Sequence, residues 1–473
     1  MAKILLVYPP ISKQERYASD IGDSGGKQVP LGIYYLAAYM RKNGFDVSAI
    51  DAETEELGST DIVKRIRDFE PDFIGISSTT VAFHRALEVA SEIKKQIPAA
   101  VTILGGPHIS SNYSHAMSFP VFDYGVFGEG EVTLLELCKT LIGGNSVENI
   151  SGIVFRNSSQ ELVKNPPRQM IADLDELPFP AYDLIPDIDK YKQPPNAYKK
   201  TPVRSIITSR GCPWQCTFCD KSIFGNKYRK RSAQNIFDEI VFLKKNYGLE
   251  EIAFHDDTFL IDKQRVYELF GLLDRAGLSF AWTCLAKISE MDEELIKFIK
   301  ENGCWRVSFG LESGDEVILK IIKKNISKEA VRKVLGLCKK HGLETAGFFI
   351  VGHPMETVET INTTMKFALS LPLDALVVTI NTPIPGSVQY AEASKYGKLD
   401  ETDWSKYSYW RPVFIPKGLT EEILLKKHKE FYRRFYLRPR IMFNIVKSFF
   451  GREGMHKLRT VIKSGLFLFR KSS

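Results

Sequence analysis

The chain reads as an α/β protein in two parts. A flavodoxin-like (Rossmann-like), doubly wound domain comes first, then a partial (β/α)6 barrel of the TIM type, and a mostly helical C-terminal region closes it. Three observations predict this. Short aliphatic or β-branched runs alternate with helix-length amphipathic segments over residues 1–149, the pattern of a parallel sheet covered on both faces. A second alternating series fills residues 203–386 with six strand-like runs, short of the eight of a complete barrel. Between them, residues 150–202 carry Pro166, Pro167, Pro178, Pro180, Pro186, Pro194 and Pro195 with few periodic runs, the composition of a linker or extended wrap.

In the first series, strands are expected at residues 4–8, 47–50, 73–77, 101–104 and 126–127. Helices are expected at 31–43 (stopped by Gly44), 62–69, 83–96 (stopped by Pro98) and 131–141. A doubly wound domain binds its ligand outside the carboxyl ends of its strands. There the chain runs through Pro9-Pro10 and a polar loop ending at Gly32, then Ser77-Ser78-Thr79-Thr80, Gly105-Gly106-Pro107-His108 and Gly128-Glu129-Gly130-Glu131. Any one of these loops is explained as a tight βα turn. Four on one edge leave room for a large flat ligand and offer backbone donors at helix N-termini.

The second series places strands at 204–208, 251–255, 279–283, 306–309, 345–351 and 375–380, with helices at 233–247, 263–276, 292–302, 328–341 and 357–371. Directly after its first strand comes Ser209-Arg210-Gly211-Cys212-Pro213-Trp214-Gln215-Cys216-Thr217-Phe218-Cys219, a Cys-x3-Cys-x2-Cys run at the catalytic face of a barrel. A closed zinc site needs four ligands, and the nearest fourth candidate is His255, at the end of the next strand. Three thiolates suit a [4Fe–4S] cluster with one iron left open, and Arg210 adds positive charge beside it. The adjacent Asp256 and Asp257 can accept hydrogen bonds from an ammonium or bind metal, or serve as a solvated or capping pair. Glu312 stands in the same position after the fourth strand, with a capping role as its alternative.

Composition narrows the class. The 473 residues carry a net charge of +7, too small for its total to indicate nucleic acid. Eleven Lys and Arg against Glu453 alone fall in residues 431–473, so the basic character belongs to the tail. Seven cysteines without paired spacing, no secretory leader and no run of ~18 apolar residues fit a reducing cytoplasm. Cys138, Cys284, Cys304 and Cys338 stand outside any constellation and read as buried small hydrophobes. In the tail, Arg433, Arg434, Arg438 and Arg440 interleave with aromatic residues, as in a segment lying on an anionic membrane or a helix packed on the barrel with a solvated basic face.

The cysteine spacing, with Phe218 before its last member, resembles the radical S-adenosylmethionine (SAM) superfamily over residues 203–386. The resemblance implies a [4Fe–4S] cluster on Cys212, Cys216 and Cys219. It further implies SAM contacts from Phe218, Asp256, Asp257, Glu312 and Gly352, the last in the turn Gly352-His353-Pro354. With the domain before it, the chain resembles the cobalamin-binding members, which implies cobalamin near Pro10, Gly32, Ser77, Ser78, Thr79, Gly105, Gly106, His108, Gly128, Glu129 and Gly130. The Asp-x-His-x-x-Gly signature of base-off cobalamin domains is absent. No histidine is therefore assigned to cobalt, and His84 and His108 read as structural. The family reaction is methylation of an unactivated carbon by a 5′-deoxyadenosyl radical and methylcobalamin. Cyclisation, rearrangement or oxidation, on a lipid or isoprenoid among other substrates, is the alternative with the same parts. A cobalamin-free enzyme and a non-catalytic carrier are the rivals from other classes. Implied partners are a small-molecule or lipid substrate and an external electron donor such as flavodoxin or ferredoxin. The expected location is cytoplasmic with peripheral membrane contact through the tail, and nucleic acid is not expected as a partner.

Overall fold

A computed structural model describes residues 1–17, 25–191, 193–194 and 197–448. The first domain runs β1 (Lys3–Tyr8), α1 (Lys13–Tyr17), α2 (Leu31–Lys42), β2 (Asp46–Asp51), α3 (Ser59–Phe69), β3 (Phe73–Ser77), α4 (Phe83–Gln96), β4 (Val101–Gly105), α5 (Pro107–Ser111), α6 (Tyr113–Ala116), β5 (Tyr124–Val126) and α7 (Gly130–Ile142). Its five parallel strands lie in the order β2-β1-β3-β4-β5, the doubly wound order with a switch point beside β1. Successive side chains of a strand point to opposite faces, and β1 shows both faces covered. Ile4 and Leu6 join Tyr34 and Leu134 in one apolar layer, while Leu5 and Val7 join Ile62, Ile66 and Phe83 in the other.

The segment expected to be a linker differs from that reading. Residues 150–202 begin with β6 (Ile153–Arg156) and β7 (Leu162–Lys164), which extend the same sheet antiparallel beyond β5. Ile153, Val154 and Phe155 are buried against the edge that β5 would otherwise present. The rest of the segment wraps both domains. Tyr191 Oη donates to Asp51 at 2.6 Å, and Tyr182 Oη donates to Glu239 of the second domain at 2.7 Å.

The second domain comprises β8 (Val203–Ile206), β9 (Ser209–Arg210), β10 (Arg229–Lys230), α8 (Ala233–Tyr247), β11 (Glu251–Phe254), α9 (Lys263–Arg275), β12 (Ala281–Ala286), α10 (Glu293–Glu301), β13 (Cys304–Glu312), α11 (Glu316–Ile321), α12 (Lys328–Lys340), β14 (Glu344–Val351), α13 (Val358–Ser370) and β15 (Ala375–Ile380). Six strands pair in parallel in the order β8-β11-β12-β13-β14-β15, leaving both outer strands as open edges. Side chains of Ser232, Asp262, Asp292, Ser327 and Thr357 accept from the third amide of helices α8, α9, α10, α12 and α13, satisfying donors that a helix start leaves unpaired.

After the barrel come α14 (Val388–Tyr396), a hairpin of β16 (Gly397–Leu399) and β17 (Phe414–Pro416), α15 (Glu421–Tyr436) and α16 (Pro439–Ser448). Helix α15 covers the open edge of β15. Tyr432 Oη both accepts from Val378 N and donates to its carbonyl at 3.0 Å, and Tyr436 does the same at Leu376. Two phenols thus stand in for a seventh strand on an edge that would otherwise be free to pair. No helix among the described residues is long and apolar enough to cross a membrane. The apolar and basic clusters at Phe449-Phe450 and residues 466–469 lie outside the described residues, as does Pro195.

Candidate active site

The cysteine loop is held at its base by a short antiparallel ladder, Ser209 with Lys230 and Arg210 with Arg229. Gly211 enters the loop at φ +84°, and a Cβ there would stand 2.4 Å from the Lys227 carbonyl oxygen, so only glycine fits. Further along, Thr217 N donates to Ile322 O at 3.1 Å and Gln389 N donates to Thr217 O at 2.9 Å. All three cysteines are free. Cys216 accepts a hydrogen bond from Cys219, which draws the Cys216 thiol down and pushes Cys219 up. Lys287 and Lys324 both lie within electrostatic reach of Cys216. Two cations near a loop of three thiolates favour the deprotonated sulfurs that iron requires. Among the described residues no three His, Cys, Asp or Glu side chains meet in single-ion geometry. Each thiolate of a cubane cluster holds a different iron, so the three sulfurs need not converge on one point.

Arg210 departs from its expected role. Its guanidinium is buried and donates to Glu129 at 2.8 Å and Glu131 at 2.6 Å. Arg229 also donates to both oxygens of Glu129, at 3.0 and 2.8 Å. Burial penalises the Glu131 carboxylate, but Arg210 overrides it and holds its pKa below the usual range. The positive charge of Arg210 is therefore spent between domains, on two carboxylates of the first, and the cations near the sulfurs are Lys287 and Lys324, the latter paired with Glu312. The sequence held no signal for that exchange, since Arg210 and its partners stand 79 and 81 residues apart.

Of the expected SAM residues, Asp256 faces the loop base. One of its oxygens accepts from Thr208 N at 3.0 Å, Thr208 Oγ1 at 2.9 Å and Ser209 Oγ. The other, Oδ2, is buried without a partner. Asp257 is exposed, within electrostatic reach of Cys212 and Lys221. Glu312 is buried at φ +61°, its carboxylate 3.0 Å from Lys324 Nζ. Phe218 packs on Ile318, Leu319 and Ile322 and lies 5.8 Å from the His353 ring. Gly352, at φ +90°, donates its amide to Glu356, as does His353 at 3.1 Å. Burial pushes Glu356 up to about 8 and His353 down to about 3. Around this turn His353 Nε2, Glu356 Oε1, Asn381 Nδ2 and Gln389 Oε1 are buried without partners. Orphaned polar atoms of this kind are met by ordered water or by a polar ligand, and the purine nitrogens and ribose hydroxyls of an adenosyl group are chemically suited to them. Asn381 and Gln389 escaped the sequence reading because neither belongs to a short motif.

A cavity of about 460 Å³ lies between the two domains, within the ordinary size of cofactor pockets. The first domain lines it with Gly32, Ser77, Thr79, Gly105, Gly106, Gly128, Glu129 and Gly130, as expected. From the barrel come Ser205, Ile207, His255, Ile223 and Phe224. A Cβ on Gly32, Gly105 or Gly128 would meet nothing within 4 Å, so the glycines keep open a space that side chains would fill. A flat tetrapyrrole fits such a cradle. Pro10, Ser78 and His108 do not line it. Ser78 is buried, its backbone pairing with Gly105 and His108. His108 is buried between Thr80 and His115 and packs against Trp404 of the C-terminal region, a structural role. His84 pairs with Glu15 at 2.8 Å. His255, the fourth-ligand candidate, faces this cavity instead, 3.4 Å from Ser205 Oγ. Cys284 and Cys304 are buried and hydrogen-bonded to each other.

Comparison with known proteins matches both domains. The family model of the radical SAM superfamily matches residues 206–368, and that of the B12 binding domain matches residues 20–138. The chain is 37% identical over 455 residues to the "Uncharacterized methyltransferase PH0819" of Pyrococcus horikoshii, covering 96% of this chain and 95% of that protein. It is 28% identical over 445 residues to the "Anaerobic magnesium-protoporphyrin IX monomethyl ester cyclase" of Rubrivivax gelatinosus, covering 92% and 77%. The cobalamin-dependent SAM radical enzyme OxsB, solved with aqua-cobalamin and SAM bound, shares the fold at a TM-score of 0.74 and 18% identity, over 99% of this chain and 72% of that one.

Proposed function

This chain belongs to the cobalamin-binding radical SAM enzymes, and from that premise we propose that it is a methyltransferase acting on an unactivated carbon. Its cofactors are a [4Fe–4S] cluster, SAM and cobalamin. The observation that carries the proposal is the interdomain cavity, whose glycine-lined wall faces barrel residues next to the cysteine loop. A hydrogen-abstracting centre and a methyl donor must both reach one carbon, and a cavity shared by the two domains is where they can do so.

When bound, the cluster with SAM supplies hydrogen-atom abstraction, and methylcobalamin supplies the methyl group. Cys212, Cys216 and Cys219 would hold the cluster, with Lys287 and Lys324 offsetting its negative charge. Asp257, Glu312 and the turn at Gly352 would orient the methionyl and adenosyl parts of SAM, with Phe218 and His353 against the purine. Asp256 acts through Thr208 and Ser209 as a positioning residue for the loop. The Arg210–Glu129–Glu131 network would keep the two walls in register. The substrate is a small molecule or lipid, and the reducing electron comes from an external donor of the flavodoxin or ferredoxin kind.

The test supplies methyl-deuterated SAM and the reconstituted enzyme to extract of a deletion strain and follows the label by mass. A product that gains the deuterated methyl group is expected. Deoxyadenosine formed with no labelled product would overturn methyl transfer. It would favour the second reading, a cyclase or oxidative enzyme, which the 28% identical cyclase supports.

A further inference from the structure

The inner wall of the barrel carries an open surface that no cofactor assignment uses. Trp282 stacks on Phe270 of α9 with ring centroids 4.9 Å apart, and Phe349 meets Phe431 of α15 at 5.6 Å. Both therefore point outward, and since side chains alternate along a strand, Leu285 of β12 and Phe348 of β14 point into the lumen. Leu285 stands in register with Ser308, and Phe348 with Val377. A complete barrel fills such positions with packed side chains. Here Leu285 is 37% exposed, and Ser308, Phe348 and Val377 are only half-buried, so the lumen is unfilled. Ser205 of β8 and His255, just after β11, line the interdomain cavity from the same wall.

At the amino ends of the strands the charged groups are paired with one another. Buried Glu251 accepts from the amides of Lys199 and Lys200 at 2.8 and 2.6 Å and from Trp305 Nε1 at 2.9 Å. Glu344 pairs with Arg306 at 2.9 Å and with Lys199 at 2.7 Å. The charges higher up are matched too. Among the described residues, the carboxylates and guanidinium groups lining the cavity are those of Arg16, Glu129, Glu131 and Arg210. Arg16 pairs with Glu53, and the other three belong to the clamp that Arg229 completes. Lys287, beside the cysteine loop, stands over the Trp214 ring at 3.9 Å. Burial pushes the His255 imidazole down to about 4, so it is uncharged at neutral pH. A charge brought into this space would lose hydration with no free counter-charge to meet it. What the wall offers is neutral hydrogen bonding, from an imidazole with one donor and one acceptor nitrogen and the Ser205 hydroxyl 3.4 Å from it.

We propose that the barrel lumen seats an uncharged substrate whose reacting part is apolar, with His255 and Ser205 hydrogen-bonding a hydroxyl or carbonyl group on it. The apolar part lies along Leu285 and Phe348, and the polar group fixes which carbon is presented between the cysteine loop and the glycine edge. This rests on the reading that the substrate meets both cofactors at the interdomain cavity. His255 is then a specificity-determining residue. An analogue lacking the polar group would leave the buried imidazole without a partner, and a site built to hydrogen-bond a group discriminates strongly against its absence.

The experiment measures deoxyadenosine formation by the full, reconstituted chain, because a substrate that gives up a hydrogen atom pulls SAM cleavage forward. A solvent extract of a deletion strain is passed over cation and anion exchangers at neutral pH and returned as uncharged, cationic and anionic fractions. The uncharged fraction should raise deoxyadenosine formation several-fold over no addition, and the two retained fractions should not. His255→Ala should need about tenfold more of that fraction for half-maximal effect, as for one lost hydrogen bond to a buried group, with a smaller change in the maximal rate. His255→Gln keeps a donor and an acceptor and should recover part of the loss. Both variants should keep the iron–sulfur absorbance, which reports that they fold. Stimulation by a retained fraction, by no fraction, or equally in the parent chain and His255→Ala would overturn the proposal. A labelled methyl group on a charged product would overturn it and leave methyl transfer standing. Stimulation by the uncharged fraction with no labelled product would support the substrate seat and overturn methyl transfer.

Discussion

Glu356 and His353 are both fully buried in one turn and titrate stability in opposite directions. His353 is pushed down to about 3 by burial, so its contribution is complete above the ordinary imidazole value and is lost as the pH falls toward 3. Glu356 is pushed up to about 8 by burial, with the Gly352 and His353 amides opposing. Its contribution is complete below the ordinary carboxyl value and is lost as the pH rises through 8. Between the two ordinary values the effects offset each other. Above the imidazole value the glutamate alone remains of this pair, with a slope of up to about 1.4 kcal/mol per pH unit. Glu356→Gln keeps an oxygen for the two amides and removes the proton. Denaturant unfolding between neutral pH and pH 8 should therefore fall less steeply in Glu356→Gln than in the parent chain, by about one proton's worth. An unchanged slope would mean that Glu356 is ionised in the folded protein.

At the scale of elements, the clamp between the Gly128–Glu131 loop and the β9–β10 ladder sets the relation of the two domains. Four charged groups are buried there with their partners in place. Such a network adds little net stability against an apolar replacement but is costly to break. Arg210→Ala leaves Glu131 buried and unpaired, and should lower unfolding free energy by about 3–5 kcal/mol. Adding Glu131→Gln to that variant should recover a good part of the loss, which would not happen if Arg210 acted through packing alone. Elements of this kind mark where sequence reasoning stops. The alternation of β3, α4 and β4 was legible because burial on both faces forces apolar runs. The pairing of β6 with β5 was not legible, because four residues carry no period. For the aromatic residues beside Arg433 and Arg434 the sequence left a membrane-lying segment and a helix packed on the barrel both open; Tyr432 and Tyr436 bond the edge of β15, more than 50 residues away, as the second reading has it. Long-range polar exchange of this type leaves no local pattern.

In the whole molecule, the two proposed cofactor sites lie on different domains and meet across one cavity, beside the clamp of Arg210 and Arg229 with Glu129 and Glu131. The proposed cluster ligands sit on a loop of the second domain, pinned by Gly211 and the β9–β10 ladder. The proposed tetrapyrrole cradle is lined mainly by the first domain, with its glycine turns keeping the space open. If the two are independent binding events that meet only across the substrate space, each can be removed alone. Cys216→Ala should abolish the iron–sulfur absorbance and SAM cleavage while the protein still takes up cobalamin on reconstitution. Gly105→Phe directs a ring into space where a Cβ meets nothing within 4 Å. That change should lower retained corrin by about tenfold or more, given that overfilling a packed site costs about 1–3 kcal/mol. It should also leave the iron–sulfur spectrum and the formation of deoxyadenosine in place, with methyl transfer lost. Loss of both cofactors in either variant would mean that the domains fold or load as one unit. The cavity would then be a consequence of assembly rather than the meeting place of two preformed sites. Retention of full corrin by Gly105→Phe would move the cobalamin away from the glycine edge altogether.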